Sequence, residues 1–471
     1  MWIRISAALV SVWFVAAGVE FQILGAKYRS LIPVTSLLSL ICLAIATGPS
    51  RWSIAIQQLI DRVVITLKRS DVRVSRATVA SLWMIGALAW VVFTTMAWQL
   101  PTNVAETDQG AYLATAQQIH DHGGLAGLFR DLYGGEFAEA NRHPFYLGLL
   151  SLRPDVTFGK MISTLAVLLA IAGMSLSCQR RSSPFAGAIC WLLCATNPSL
   201  TKSAIMVACE GWLTFWVCAS WWLIDSRRPE PQQQSLTTDD PAPAFSTTQT
   251  MLFGLCLGVA WCTKGTALLL FPIALIWLLQ DRLRQGRRFA LLATVTLACG
   301  WLIAAHPLLM RNRLMYGSPF FNVNTWLMFV DQFEDPVTLA KQPLSQAAAH
   351  YWQQHTPLEM LKREASGIVW QAFIVCRVLG FGSSNLLRAV TGAVILLLAI
   401  LGSNLVFRPS VRLILGWLAV LIPLFAWYTP IAADDRFLAP LVPIGLAFAA
   451  DGAAHVLLSW RDLWQKSDKL V

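Results

Sequence analysis

Charge is scarce in this 471-residue chain: Asp, Glu, Lys and Arg together make up 13% of it, where a soluble domain carries about a quarter. With 56% hydrophobic residues, that scarcity excludes an ordinary soluble globular domain and indicates an integral membrane protein. Acid is scarcer than base, 26 residues against 36, for a net charge of +10. Such a surplus can signal nucleic acid. Here the basic residues sit in short clusters between apolar runs, so no aromatic-interleaved basic surface remains and nucleic acid is excluded as a partner. Zinc-like cysteine spacing is also missing. The ten cysteines lie in or beside apolar runs, and "CWLLC" lacks a second ligand pair, so they read as small packing residues. No repeat of fixed period occurs. No small-x-small cleavage site closes the first apolar run, which reads as an uncleaved first span.

What the chain has is long apolar runs, and a helix needs about 20 such residues to cross the hydrocarbon core. Runs at 5–25, 31–48, 78–100, 159–177, 184–202, 205–225, 288–309, 386–407, 411–429 and 438–459 qualify. The run "MLFGLCLGVAWCTKGTALLLFPIALIWLL" would form about 45 Å of helix, long for one span and short for two. Basic residues flank it on both sides, Arg227 and Arg228 before and Arg282, Arg284, Arg287 and Arg288 after. Both flanks therefore read as cytoplasmic, and the run as a hairpin broken near Lys264-Gly265 or Pro272. The sequence predicts an all-α polytopic membrane protein of about twelve spans with both termini cytoplasmic. An N-terminal hairpin and basic loop occupy 1–76. The main transmembrane unit spans 77–471, with long outward loops at 101–158 and 310–385 and a disordered cytoplasmic linker at 226–250. Both loops are expected to contain short amphipathic helices, in the first with Tyr112, Ala116 and Ile119 on one face.

Ionisable residues at membrane depth are expensive and therefore candidates for function. On the outward face these are Glu106, Asp108, Arg142, His143, Glu210, Lys264, Arg311, Arg313, Asp434, Asp435 and Arg436. One or two acids among several cations suit a phosphate-bearing ligand beside a nucleophile or base. Structural roles are open to the same residues. Asp108 also suits a helix N-cap, Glu106 a solvated loop, and Tyr112 an interfacial belt. Arg142, His143 and Arg311 also suit headgroup anchors, and Lys264 a snorkelling side chain. Glu210 also suits a core ion pair, and Arg436 a neutral pairing with Asp434 and Asp435. His120 and His122 stand two apart and do not share a helix face, so no metal is predicted there.

Five elements then resemble, in order, those of the GT-C glycosyltransferases. "TDQGAYLATAQQIHDHGG" is similar to the first-loop acidic motif and "NRHPFYLGLL" to its basic, proline-containing partner. "GLCLGVAWCTKGTALLLFP" resembles the Gly-rich span with its Thr-Lys pair. "RNRLMYGSPF" resembles the Arg-Asn element, and "DRFLAPLVP" the element opening the last span. The nearest branch is the bacterial lipid-linked-sugar transferases related to protein O-mannosyltransferases and aminoarabinose transferases. The resemblance implies a bacterial inner-membrane enzyme whose active site faces the periplasm. It implies sugar transfer with inversion from a polyprenyl-phosphate donor to a protein, lipid or glycan acceptor. Asp108 is then the general base. Arg142, His143, Lys264, Arg311 and Arg436 bind the donor phosphate, and Glu106, Tyr112 and Glu210 support. The chain departs from the family where Gln109 stands in place of a second acid, so no metal cofactor is predicted. Other readings are a transporter or flippase of a lipid-linked or anionic substrate, and a ligase or polymerase using lipid-diphosphate donors.

Overall fold

The computed structural model describes residues 74–100, 108–225, 246–405, 409–432 and 434–467. The N-terminal hairpin and most of its basic loop, Glu106, and linker residues 226–245 lie outside the described residues. Among the described residues all regular structure is helical. The helices are α1 (Arg76–Trp98), α2 (Asp108–Asp121), α3 (Gly124–Gly134), α4 (Pro144–Ser151), α5 (Val156–Arg181), α6 (Pro184–Thr196), α7 (Pro198–Ile205) and α8 (Glu210–Asp225). They continue with α9 (Thr247–Thr263), α10 (Leu270–Leu283), α11 (Arg287–Tyr316), α12 (Pro336–Leu339), α13 (Leu344–Gln354) and α14 (Pro357–Leu379). The last are α15 (Asn385–Leu405), α16 (Pro409–Trp427) and α17 (Val442–Ser467).

Local sequence explains many of these boundaries. Asp155 opens α5 by accepting the Phe158 N–H at 2.8 Å, and Thr356 with Glu359 forms a capping box at the start of α14. Proline stands in the first turn of α4, α6, α7 and α14, where its missing N–H costs nothing. Seven helical stretches among the described residues are long and apolar enough to span a membrane, and an eighth is available if the bent pair α7–α8 counts as one.

The segment 184–225 departs from the two straight spans that its apolar runs predict. Pro198 ends the first after α6, and α7 meets α8 at a bend of 119°. The turn between them is held from outside: the Gln109 side chain accepts the Val207 N–H at 2.9 Å. The residue in the place of the expected second acid thus has a structural task. The broken hairpin follows the charge argument more closely. α9 ends at Thr263, Lys264 turns extended, and a short 3-10 turn at Gly265–Leu269 leads into α10. In the second long loop one helix is longer than the short amphipathic helices expected there, since α14 runs for 23 residues. α14 buries Val369, Trp370, Ile374, Val378 and Leu379 in the main core against α15 and α16.

Two apolar clusters organise the chain. The larger runs through the long helices, with Trp221, Trp417 and Leu297 fully buried. Glycine permits a close helix contact in it, because a Cβ at Gly254 would stand 2.1 Å from the Leu297 carbonyl oxygen. Helices α9 and α11 can approach that closely only without a side chain there. The smaller cluster holds α2, α3 and α4 together over the α7–α8 bend, with Tyr112, Ala116, Ile119, Leu128, Tyr146 and Leu150 inside. It fixes the start of α2, and Asp108, against the ends of the spanning helices.

Candidate active site

A cavity of about 400 Å³ opens where α2, the α7–α8 bend, the α9–α10 break and the turn before α17 converge. Asp108, Tyr112, Arg142, His143, Glu210, Lys264 and Arg436 all line it. They come from five separate regions of the chain, brought together by the two clusters.

Asp108 starts α2 with a side chain 45% exposed, within reach of a ligand. Its Oδ2 accepts a hydrogen bond from Arg436 Nη1 at 2.6 Å, and its Oδ1 lies 3.7 Å from Arg142 Nη2. Burial works to raise this carboxyl, but the hydrogen bond and charge of Arg436, with Arg142 and Lys264, outweigh it and hold the group below the usual aspartate range. Asp108 therefore carries a negative charge at neutral pH. Arg436 is half-buried against Phe437, 5.5 Å from that ring's centre. Although burial opposes its charge, the nearby carboxylates, led by Glu210 and Asp108, raise its pKa. Its ion pair is with Asp108 rather than with Asp434 or Asp435, although the charge of Asp434 also helps to raise its pKa. Asp434 lies 3.6 Å from Lys202. Asp435 is buried between Arg377, whose Nε donates at 2.7 Å, and Arg388 at 3.3 Å. Those pairs pin the 3-10 turn Asp435–Phe437 and aim Arg436 at Asp108.

The second pair lies deeper. Glu210, 3% exposed at the first turn of α8, accepts from Lys264 Nζ at 2.8 Å. The extended residue at the α9–α10 break places this ammonium in the cavity wall, 5.2 Å from the Phe437 ring centre. Gly265 follows because two side chains press on it: a Cβ would meet Asn322 Nδ2 at 2.8 Å and His143 Nε2 at 3.0 Å.

Arg142 is oriented by Glu139, which accepts from the Asn141 and Arg142 N–H groups at 2.8 and 3.0 Å and from Arg142 Nη1 at 3.3 Å. The Arg142 guanidinium also lies over the Tyr112 ring, 5.5 Å from its centre. Tyr112 donates to Cys209 Sγ at 3.1 Å, and burial pushes its phenol well above the ordinary range. It remains a neutral wall residue.

Two expected phosphate ligands behave differently. Burial, with the charge of Arg311 nearby, lowers His143 to about 3, so it is a neutral imidazole and adds no positive charge. Arg311 is buried and absent from the cavity wall. It donates to the Glu139 carbonyl at 2.8 Å and lies over the Phe137 and Tyr316 rings. It supports the loop that carries Arg142. Arg313 is exposed and donates to the Gly317 carbonyl at 2.6 Å. Among the described residues, no group of three or more His, Cys, Asp or Glu stands close enough to hold a metal ion.

Sequence reasoning missed a neutral polar wall formed by Asn141, Asn322, Asn324, Thr266 and Thr325. Only the cluster "FNVNT" hinted at it, and asparagine between apolar residues is common in turns. Apolar side chains complete the lining, among them Leu268, Leu269, Met328, Leu424, Phe425 and Phe437.

No protein-family model matches the chain, and no curated protein matches it. Solved structures do. The apo oligosaccharyltransferase of Archaeoglobus fulgidus aligns with a TM-score of 0.48 and 14% identity over 84% of this chain and 52% of its own length. The AglB oligosaccharyltransferase from the same organism, in complex with an inhibitory peptide and a dolichol-phosphate, aligns with a TM-score of 0.46 and 14% identity over 83% of this chain. The chain spans about half the length of these two enzymes. ArnT from Cupriavidus metallidurans bound to undecaprenyl phosphate aligns with a TM-score of 0.36 and 13% identity, covering 81% of this chain and 78% of that one.

Proposed function

We propose that the protein is a membrane glycosyltransferase that moves a sugar, with inversion, from a polyprenyl-phosphate donor to a hydroxyl acceptor on the periplasmic side of the inner membrane. The observation that carries the reading is the accessible Asp108 carboxylate set between Arg436 and Arg142 at a cavity with an apolar wall. Charge supports a donor with one phosphate. Among the lining residues, Arg142, Lys264 and Arg436 stand against Asp108 and Glu210, a surplus of one positive charge with His143 neutral. A phosphodiester carries one negative charge and matches it. A diphosphate ester carries two.

The chemistry follows from these groups. The acceptor oxygen attacks the anomeric carbon from the face opposite the phosphate, and its lone pair forms the new C–O bond. The bond from that carbon to the phosphate oxygen breaks, and its electron pair leaves with the polyprenyl phosphate. Asp108 takes the acceptor's proton. Arg436, Arg142 and Lys264 stabilise the charge growing on the phosphate. A phosphate that draws Arg436 and Arg142 toward itself also leaves Asp108 with less cationic contact, which raises its proton affinity when a base is needed.

The test is sugar transfer, or slow donor hydrolysis, by the purified protein given an undecaprenyl-phosphate-sugar. Asp108→Asn keeps an oxygen for Arg436 but cannot take a proton. Its kcat is expected to fall about 10²–10⁴-fold, with donor affinity retained. Wild-type kcat in that variant refutes the mechanism.

A further inference from the structure

The neutral polar wall has more capacity for hydrogen bonds than the protein uses. Asn324 Nδ2 donates to Asn141 Oδ1 at 2.8 Å, and Asn322 Oδ1 accepts the Asn324 N–H at 3.1 Å. These two bonds orient the three carboxamides. Among the described residues they leave the Asn141 and Asn322 amino groups as donors, the Asn324 oxygen as an acceptor, and the Thr266 and Thr325 hydroxyls with either role. All five residues line the cavity. Asn141 adjoins Arg142 in the chain, and Asn322 presses on Gly265 beside Lys264. Asn141 and Asn322 therefore sit next to the cations.

We propose that Asn141, Asn322 and Asn324, with Thr266 and Thr325, form the subsite for the transferred sugar, and that this sugar is uncharged. The inference rests on the donor reading above and specifies the sugar's chemical class. Fixed amide donors and acceptors and two rotatable hydroxyls complement the alternating donor and acceptor character of sugar hydroxyls. Charge excludes the other classes. With the donor phosphate balancing the surplus, a sugar ammonium would add a positive charge with no free carboxylate to offset it, since Asp108 and Glu210 already contact Arg436 and Lys264. A uronate would add a second negative charge where the donor phosphate already balances the surplus. Like charges placed together in a binding site cost enough to reject a ligand.

Intrinsic tryptophan fluorescence of the full chain, in nanodiscs, reads the binding of three probes. These are undecaprenyl phosphate, undecaprenyl-phosphate-glucose and undecaprenyl-phosphate-aminoarabinose. The wild type is expected to bind the glucose donor about tenfold more tightly than the aminoarabinose donor. Asn324→Ala and Asn322→Ala are each expected to lose about tenfold for the glucose donor, the scale of one or two hydrogen bonds, while binding undecaprenyl phosphate as the wild type does. Equal affinity for the two sugars overturns the proposal, as does unchanged glucose-donor affinity in both variants. Equal loss for undecaprenyl phosphate shows a collapsed cavity rather than a sugar subsite and overturns it too. If undecaprenyl phosphate does not bind the wild type, the donor reading fails first and this inference with it.

Discussion

Replacing Glu210 with glutamine removes a buried negative charge while keeping the side chain's shape. Its carboxylate and the Lys264 ammonium stand 2.8 Å apart, at 3% exposure for Glu210 and 18% for the lysine side chain. At an effective dielectric of about 20, that separation corresponds to a gross attraction of about 6 kcal/mol. Desolvation of both groups offsets part of it, so the net value of the intact pair is small. Removing one partner is different, because the other charge stays buried without compensation, at a cost of about 3–5 kcal/mol. Glu210→Gln is therefore expected to destabilise the folded protein by about that amount. Lys264→Met should cost a similar amount, and the double variant less than the two together. Thermal unfolding in detergent, followed by near-ultraviolet circular dichroism, measures all four proteins. Additive losses in the double variant would refute the coupling and leave Lys264 as a snorkelling cation.

Other consequences follow from the same geometry. Because Arg436 and Arg142 lower Asp108 in the free protein, its basic form persists below the usual aspartate range and is lost as pH falls through the lowered pKa. The acid limb of kcat/KM should thus lie below about pH 4, and a free-enzyme limb near pH 6 would refute the assignment. Arg311→Lys should leave Lys264 and Arg436 in place but loosen the Glu139 loop that orients Arg142. It is expected to lower kcat about tenfold through misplacement of Arg142, and loss of undecaprenyl phosphate binding alone would instead make it a direct ligand. Gly265→Ala forces a Cβ against Asn322 and His143. An overpacking cost of about 1–3 kcal/mol should appear as weaker donor binding and a lower unfolding temperature, and a silent substitution would refute the close approach.

Much of the site was legible because ionisable residues are rare in apolar sequence and expensive at membrane depth. Asp108, Arg142, Lys264 and Arg436 were identifiable one by one, and the four do line one cavity. Arg311 was identified on the same ground but spends its hydrogen bonds on Glu139 and Tyr316. A cation's cost is visible in sequence, but the partner that offsets it is not. Asn322 and Asn324 raise no such signal, since a neutral amide in a turn is ordinary until its neighbours are known.

The sequence by itself determined that the chain lives in a membrane, where most long helices begin and end, and that the α9–α10 run breaks. Of its two candidate sites, Lys264-Gly265 and Pro272, the structure uses the first. Apolar length, capping residues and flanking charge are local properties and act within a few residues. Tertiary structure decided what each charge faces. Arg436 reaches Asp108 across 328 positions, and neighbouring Asp435 is turned inward by Arg377 and Arg388. Gln109, which broke the expected acidic pattern, holds the α7–α8 bend. Pair energies depend on distance and burial, and only the packed chain sets either.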